Sequence, residues 1–255
     1  MEPEEMPLEA LISTARYSKY RAAARGDHAQ AARLYIWNAR LSAAYWPAIA
    51  MVEVAIRNAL DVQLCDRVGC TPEAGWYVDA LSDRPRIHLL DRERDKLKKS
   101  LESFDRKNNQ EPDQPRIDPT GDDVVGGTSL GLWVALCGEG APRINPRYNY
   151  HRNLWRPTLH KAFPGYTGPR LADKPGPIRD ALREFERLRN RIAHHEPIYM
   201  LKHGHQVGNI HTIAGWLDDR LAAFLRAHDD VTPVAVDYKA YVLRREETAV
   251  LTEVP

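Results

Sequence analysis

Residues 27–68 read DHAQAARLYIWNARLSAAYWPAIAMVEVAIRNALDVQLCDRV and contain no glycine, with Pro47 as the one proline. Leu34, Trp37, Leu41, Ala44 and Tyr45 recur three or four apart, and Ile49, Val52, Ile56, Ala59 and Leu60 resume the spacing. That period belongs to a helix with one apolar face. Asp27, following Gly26, supplies an N-cap. Pro47 predicts either two long helices or one that is kinked. A stretch of this length sets the expected class as all-α.

The flanking sequence carries the same period with breaks. Residues 7–24 predict one or two shorter helices ending at Gly26, and 86–104 predicts a helix with Leu89, Leu90, Leu97 and Leu101 on one side. Residues 107–127 hold Asn-Asn, Pro112, Pro115, Pro119 and Gly-Gly, and predict a long mobile loop, a linker or functional flap. Short helices are expected over 128–137 and 151–163, with a loop over 165–176. Pro177 opens a strong helix at its first turn that runs to about His195 and is closed by Pro197. Residues 207–228 predict the last helix. From Asp229 onward, VAVDYKAYVL reads as β-like, an edge hairpin or a tail. The expected organisation is one helical domain over 1–228 with inserted loops, then a C-terminal tail over 229–255.

Composition narrows the function classes. The chain has 255 residues, 43% hydrophobic and 28% charged, as a globular protein does. Its formal net charge is +1, so any contact with nucleic acid must be local rather than a general basic coat. Arg outnumbers Lys 27 to 9, and the guanidinium is the better fork for phosphate or carboxylate. No apolar run approaches the roughly 18 residues of a spanning helix, so no membrane partner is expected. The N-terminus is acidic where a secretory signal is basic and then apolar, which predicts a cytoplasmic protein. Cys65, Cys70 and Cys137 form no CxxC pair and fit reduced thiols.

The chemistry concentrates in 182–197, LREFERLRNRIAHHEP. Wound at about 100° per residue, Ile178, Leu182, Phe185, Ile192 and Ala193 fall within about 60° of Arg189. This predicts an arginine in the middle of an apolar stripe. Asn190 and His194 lie one turn apart on the adjoining flank, which Arg187 and Arg191 extend. A buried guanidinium needs an anion. The bland reading is an ion pair, with Glu53 as the acid. The sharper reading is a phosphate held by the fork of Arg189, with the imidazole of His194 available for proton transfer near neutral pH. The two can coexist.

Arg189-Asn190-Arg191-Ile192-Ala193-His194 resembles the Arg, polar residue, spacer, His motif of HEPN-superfamily ribonucleases. The wider pattern resembles Abi-like (abortive infection, AbiD/AbiF-type) proteins of that superfamily. It comprises LYIWNARLSAAYWPAIAMVEVAIRNAL at 34–60, SLGLWVAL at 129–136, NLWRPTLHKAFP at 153–164 and LRNRIAHHEPIY at 188–199. The resemblance covers roughly residues 15–225 and implies an all-α HEPN-like helical bundle. It implies a metal-independent endoribonuclease, a toxin-type nuclease of antiviral defence, leaving 2′,3′-cyclic phosphate and 5′-hydroxyl ends. By the same resemblance Arg189 binds the scissile phosphate, His194 assists proton transfer and Asn190 orients the histidine or a phosphate oxygen. A homodimer with two motifs facing one another is implied, and an antitoxin protein or small RNA as a silencing partner. The alternative is a noncatalytic RNA- or nucleotide-binding helical module regulated by such a partner.

Other residues take supporting parts. Glu53, Arg57 and Asn58 support the site, although Glu53 and Arg57 are also spaced as a simple i,i+4 pair. His195 reads as a cap or surface residue, and Glu196 as a partner for an arginine of a neighbouring protomer. His194, His195, His203, His205 and His211 match no standard zinc spacing, so no metal or other cofactor is expected. Trp37, Trp46, Trp133, Trp155 and Trp216 read as core, with stacking on a base the role of any that is exposed. The loop RINPRYNYHRNLWR at 143–156 mixes arginines with aromatics and is the candidate for grasping RNA outside the site. Gly126-Gly127 lacks the Lys-Ser/Thr of a phosphate loop.

Overall fold

A computed structural model describes residues 8–111, 114–168 and 171–244. The acidic start at 1–6, Pro112 and the end of the tail over 245–255 lie outside the described residues. Two short helices, α1 (Leu8–Ile12) and α2 (Thr14–Ala23), come first. The chain then turns through Arg25 and Gly26, both at positive φ. Asp27 caps the next helix, its Oδ1 accepting the Gln30 N–H at 3.0 Å. That helix, α3 (His28–Val68), is a single uninterrupted one with Pro47 inside it. At 1.5 Å per residue its 41 residues span about 60 Å.

Further on come α4 (Tyr77–Leu81), α5 (Asp91–Asn108), α6 (Gly121–Gly127) and α7 (Leu130–Leu136). Then come α8 (Gly176–Ala193), α9 (His203–Leu217) and α10 (Asp219–Ala227). Two short helices, α11 (Val231–Val236) and α12 (Tyr238–Leu243), end the described chain. Among the described residues there is no strand, so the fold class is all-α. None of these helices is long and apolar enough to cross a membrane.

Two compact units form. One takes the chain up to Ile49, Arg187–Gly208 and the chain from Leu225; the other takes Ala50–Glu186 and Asn209–Phe224. In the first, Leu34, Trp37, Leu41 and Tyr45 of α3 are buried, as are Leu188, Ile192 and Ile198. In the second, Ile56, Leu60, Trp76, Trp133, Trp155 and Phe185 are buried, with Trp76 and Trp133 packed edge to face at 5.9 Å.

Four local expectations need correction, each for a visible reason. The segment 107–127 is not one mobile loop. Helix α5 runs on to Asn108, and Thr120 and Asp123 close a capping box that starts α6. Between them Asn109 exchanges hydrogen bonds with the backbone of Ile117 at 2.9 and 2.8 Å, and Arg116 bonds Asp105. Residues 151–163 form a π turn (His151–Trp155) and a 3-10 turn (Leu159–Ala162) rather than one helix. Residues 207–228 split into α9 and α10, because Asp218 accepts the Arg220 N–H at 2.7 Å and starts a new helix. The β-like segment after Asp229 is helical as far as described. Trp37 Nε1 donates to the Val234 carbonyl at 3.0 Å, and Val231 and Val242 are buried. Tertiary contacts outweigh the β propensity of valine here.

Candidate functional site

The last two turns of α8 carry Arg189 and Asn190, and His194 follows directly on the helix end. Ile178, Leu182, Phe185, Leu188 and Ile192 are the buried positions of this helix. Including Leu188 moves the centre of the apolar arc about 40° away from Arg189. The arginine therefore rides the flank of the stripe, not its middle, and is half-buried. Its Nη1 donates to Asn190 Oδ1 at 3.3 Å. The side chain of Asn190 thus steadies the arginine, while its backbone carbonyl accepts the His194 N–H at 2.9 Å. The His194 side chain is exposed.

The helix ends in a Schellman turn. The Glu196 N–H reaches the Arg191 carbonyl at 2.8 Å, and the His195 N–H reaches the Ile192 carbonyl at 3.1 Å. His195 occupies the left-handed position of this turn, with φ of 55°. The bonds occupy the carbonyls of Asn190, Arg191 and Ile192, which would otherwise point their negative ends at an approaching anion. Arg191 Nε lies 3.6 Å from Glu196 Oε2, so Glu196 has a partner on its own turn. Arg187 is exposed.

The supporting residues sit differently. Glu53 and Arg57 form the i,i+4 pair on α3, both largely buried, and Arg57 Nη1 donates to the Gly126 carbonyl at 3.1 Å. Arg57 thus anchors the end of α6. Asn58 is exposed. His203 opens α9 with Nδ1 3.0 Å from Tyr45 Oη, and its Nε2 is buried without a partner among the described residues. Burial lowers its pKa below the ordinary 6.5, so this ring is held neutral. Among the described residues no three His, Cys, Asp or Glu side chains gather as a metal site requires.

The loop at 143–156 also departs from expectation. Two of its rings serve the core: Tyr150 is fully buried, accepting the Leu90 N–H at 2.8 Å and donating to Glu93 at 3.2 Å, and Trp155 is fully buried. The arginines Arg143, Arg147, Arg152 and Arg156 face outward. Charge is available there; stacking by Tyr150 and Trp155 is not.

Sequence reasoning missed a groove of about 560 Å³ in the first unit, lined by α2, by α3 and by Ile192, Ala193 and His195 at the end of α8. Trp46, expected in the core, stands at its edge, 45% exposed. The signal was present: Tyr35, Asn38, Ala39, Ser42, Ala43 and Trp46 have helical spacing, a second face beside the apolar one. Compared with protein-family models, curated proteins and solved structures, the chain has no match in any of the three.

Proposed function

We propose that the protein is a metal-independent endoribonuclease of the HEPN type, acting in the cytoplasm as an abortive-infection or toxin-type antiphage protein. One observation carries the reading: a half-buried guanidinium, steadied by Asn190, lies five residues before an exposed imidazole at the same helix end. RNA supplies its own nucleophile, so cleavage needs charge stabilisation and proton transfer and little else.

The 2′-oxygen attacks phosphorus, forming the cyclic phosphodiester as the bond to the 5′-oxygen breaks. Arg189 neutralises the charge that builds on the phosphoryl oxygens. His194 takes the 2′-hydroxyl proton, and the imidazolium returns a proton to the departing 5′-oxygen. Arg187 and Arg191 raise the local attraction for the polynucleotide, as a chain of near-zero net charge requires. The active form is a homodimer, silenced by an antitoxin protein or small RNA until infection.

The test is induction of wild type, Arg189→Ala and His194→Ala in a bacterial host. Growth arrest and RNA fragments with 2′,3′-cyclic phosphate ends are expected for wild type alone. Each substitution should lower the cleavage rate of the purified protein about 100-fold or more. Cleavage should persist in excess EDTA. Equal toxicity of all three discards the assignment, and RNA bound but never cut makes the chain a noncatalytic binding module.

A further inference from the structure

We infer that the groove beside the end of α8 is a subsite for one base of the single-stranded RNA, and that it sets which base flanks the cut. The inference rests on the ribonuclease reading above. Asn38 is the key residue, only 5% exposed and lining the groove. Its Oδ1 accepts the backbone N–H groups of Ile198 and Tyr199 at 2.7 and 3.0 Å, which fixes the orientation of the amide. Its Nδ2 has no hydrogen bond to the described residues and is not among the atoms sealed from water, so the donor is open to a ligand. A ligand acceptor in the groove would take the place of water on it.

A second observation comes from Pro47, which also lines the groove. Proline has no N–H, so the carbonyl of Ala43, four residues earlier, loses its helical donor. Ala43 is exposed and lines the same groove, so that carbonyl is an acceptor open to a ligand. Ser42 Oγ donates to the Asn38 carbonyl at 2.8 Å and keeps its lone pairs for a ligand donor. Donor and acceptors thus stand on one face of α3, which also carries the rings of Tyr35 and Trp46. A nucleobase is a planar π system with donors and acceptors along one edge, and it meets both parts of this lining. A purely apolar ligand would leave Asn38 Nδ2 unpaired. Ala193 at the end of α8 and His195 in the turn after it line the groove, so the subsite adjoins the turn that carries His194.

The experiment titrates the full-length protein with adenosine, guanosine, cytidine, uridine and ribose, and maps the bases flanking the cut sites. The variants are Trp46→Ala, Asn38→Asp and Ala43→Leu. Asp at 38 keeps an acceptor for both backbone N–H groups and removes only the donor. Leu at 43 is a good helix former at an exposed position and fills the groove without disturbing the core. Nucleosides should bind where ribose does not, with purines favoured for their larger stacking area. All three variants should weaken binding about tenfold or more, and Ala43→Leu should relax the base preference at the cut.

If nucleosides bind no better than ribose, or Ala43→Leu leaves the cut pattern unchanged while wild type still cleaves, the subsite falls and the ribonuclease stands. Nucleoside binding lost in the variants of a protein that never cuts RNA supports the subsite and removes the ribonuclease. A dimer broken by Ala43→Leu, with no nucleoside binding by wild type, makes this face a self-association surface and overturns the inference.

Discussion

His195 holds a backbone conformation that side chains with a Cβ resist, with φ of 55° at the position where helices most often place glycine. Such a residue costs about 1 kcal/mol and persists where the surroundings or the function hold it. Here both Schellman bonds close across it, and the residue lines the groove. His195→Gly should therefore raise stability by about 0.5–1 kcal/mol, read as a higher urea midpoint at unchanged slope. Unchanged or lowered stability would mean that the imidazole contributes contacts worth more than the strain. The pair at 189 and 194 stands out in the sequence because an arginine and a histidine near one helix end are residue types suited to holding a phosphate and moving a proton. Its depth was not legible, since one omitted leucine, Leu188, shifts the apolar arc. Glu53 and Arg57 show the converse, an i,i+4 spacing readable as either function or structure, with Arg57 found holding the carbonyl of Gly126.

At the scale of elements, period identifies the long helices and punctuation misleads. Proline and glycine density hides α6, although Thr120-Gly-Asp-Asp123 spells a capping box in the sequence. The terminal valines suggest strands, yet no partner strand exists among the described residues, and helix α3 offers a surface to pack on instead. Trp37 Nε1 bonds the Val234 carbonyl, and Arg33 Nε bonds the Val242 carbonyl at 3.1 Å. These contacts make α11 and α12 part of the first unit's core, so Val242→Ala should destabilise the protein by about 1–2 kcal/mol. Thermal or urea unfolding measures it. A change near zero would mean that α12 is an appendage, the tail that its sequence suggests. Pro47 is the other instructive element feature. Its place in the helical stretch is plain from the sequence; that the freed carbonyl opens on a groove depends on what α2 and α8 bring beside it, which no local pattern encodes.

At the scale of the whole molecule, two titratable groups drawn out of water give the folding equilibrium opposing dependences on pH. Burial lowers the pKa of His203, so the unfolded chain binds its proton more readily than the native one. The stability tied to this neutral ring is complete above the unfolded value of 6.5 and is lost as pH falls through the lowered native value. Asp61 behaves in reverse. Burial raises its pKa from 3.8 to about 6, with Oδ1 left without a partner among the described residues. Its protonated form favours the native state below 3.8, and that contribution is lost as pH rises through about 6. Between about pH 4 and 6.5 the two slopes therefore oppose each other, and wild type should show a flatter profile than either group alone would impose. Urea unfolding from pH 5 to 8 separates them. His203→Asn should retain more of its neutral-pH stability in acid than wild type does. Asp61→Asn should be more stable than wild type above pH 6.5, with the advantage shrinking as the solution is acidified. Parallel profiles for the three proteins would show that neither group senses the interior, because a side chain in contact with water titrates alike in the native and unfolded chain and cannot tilt the curve.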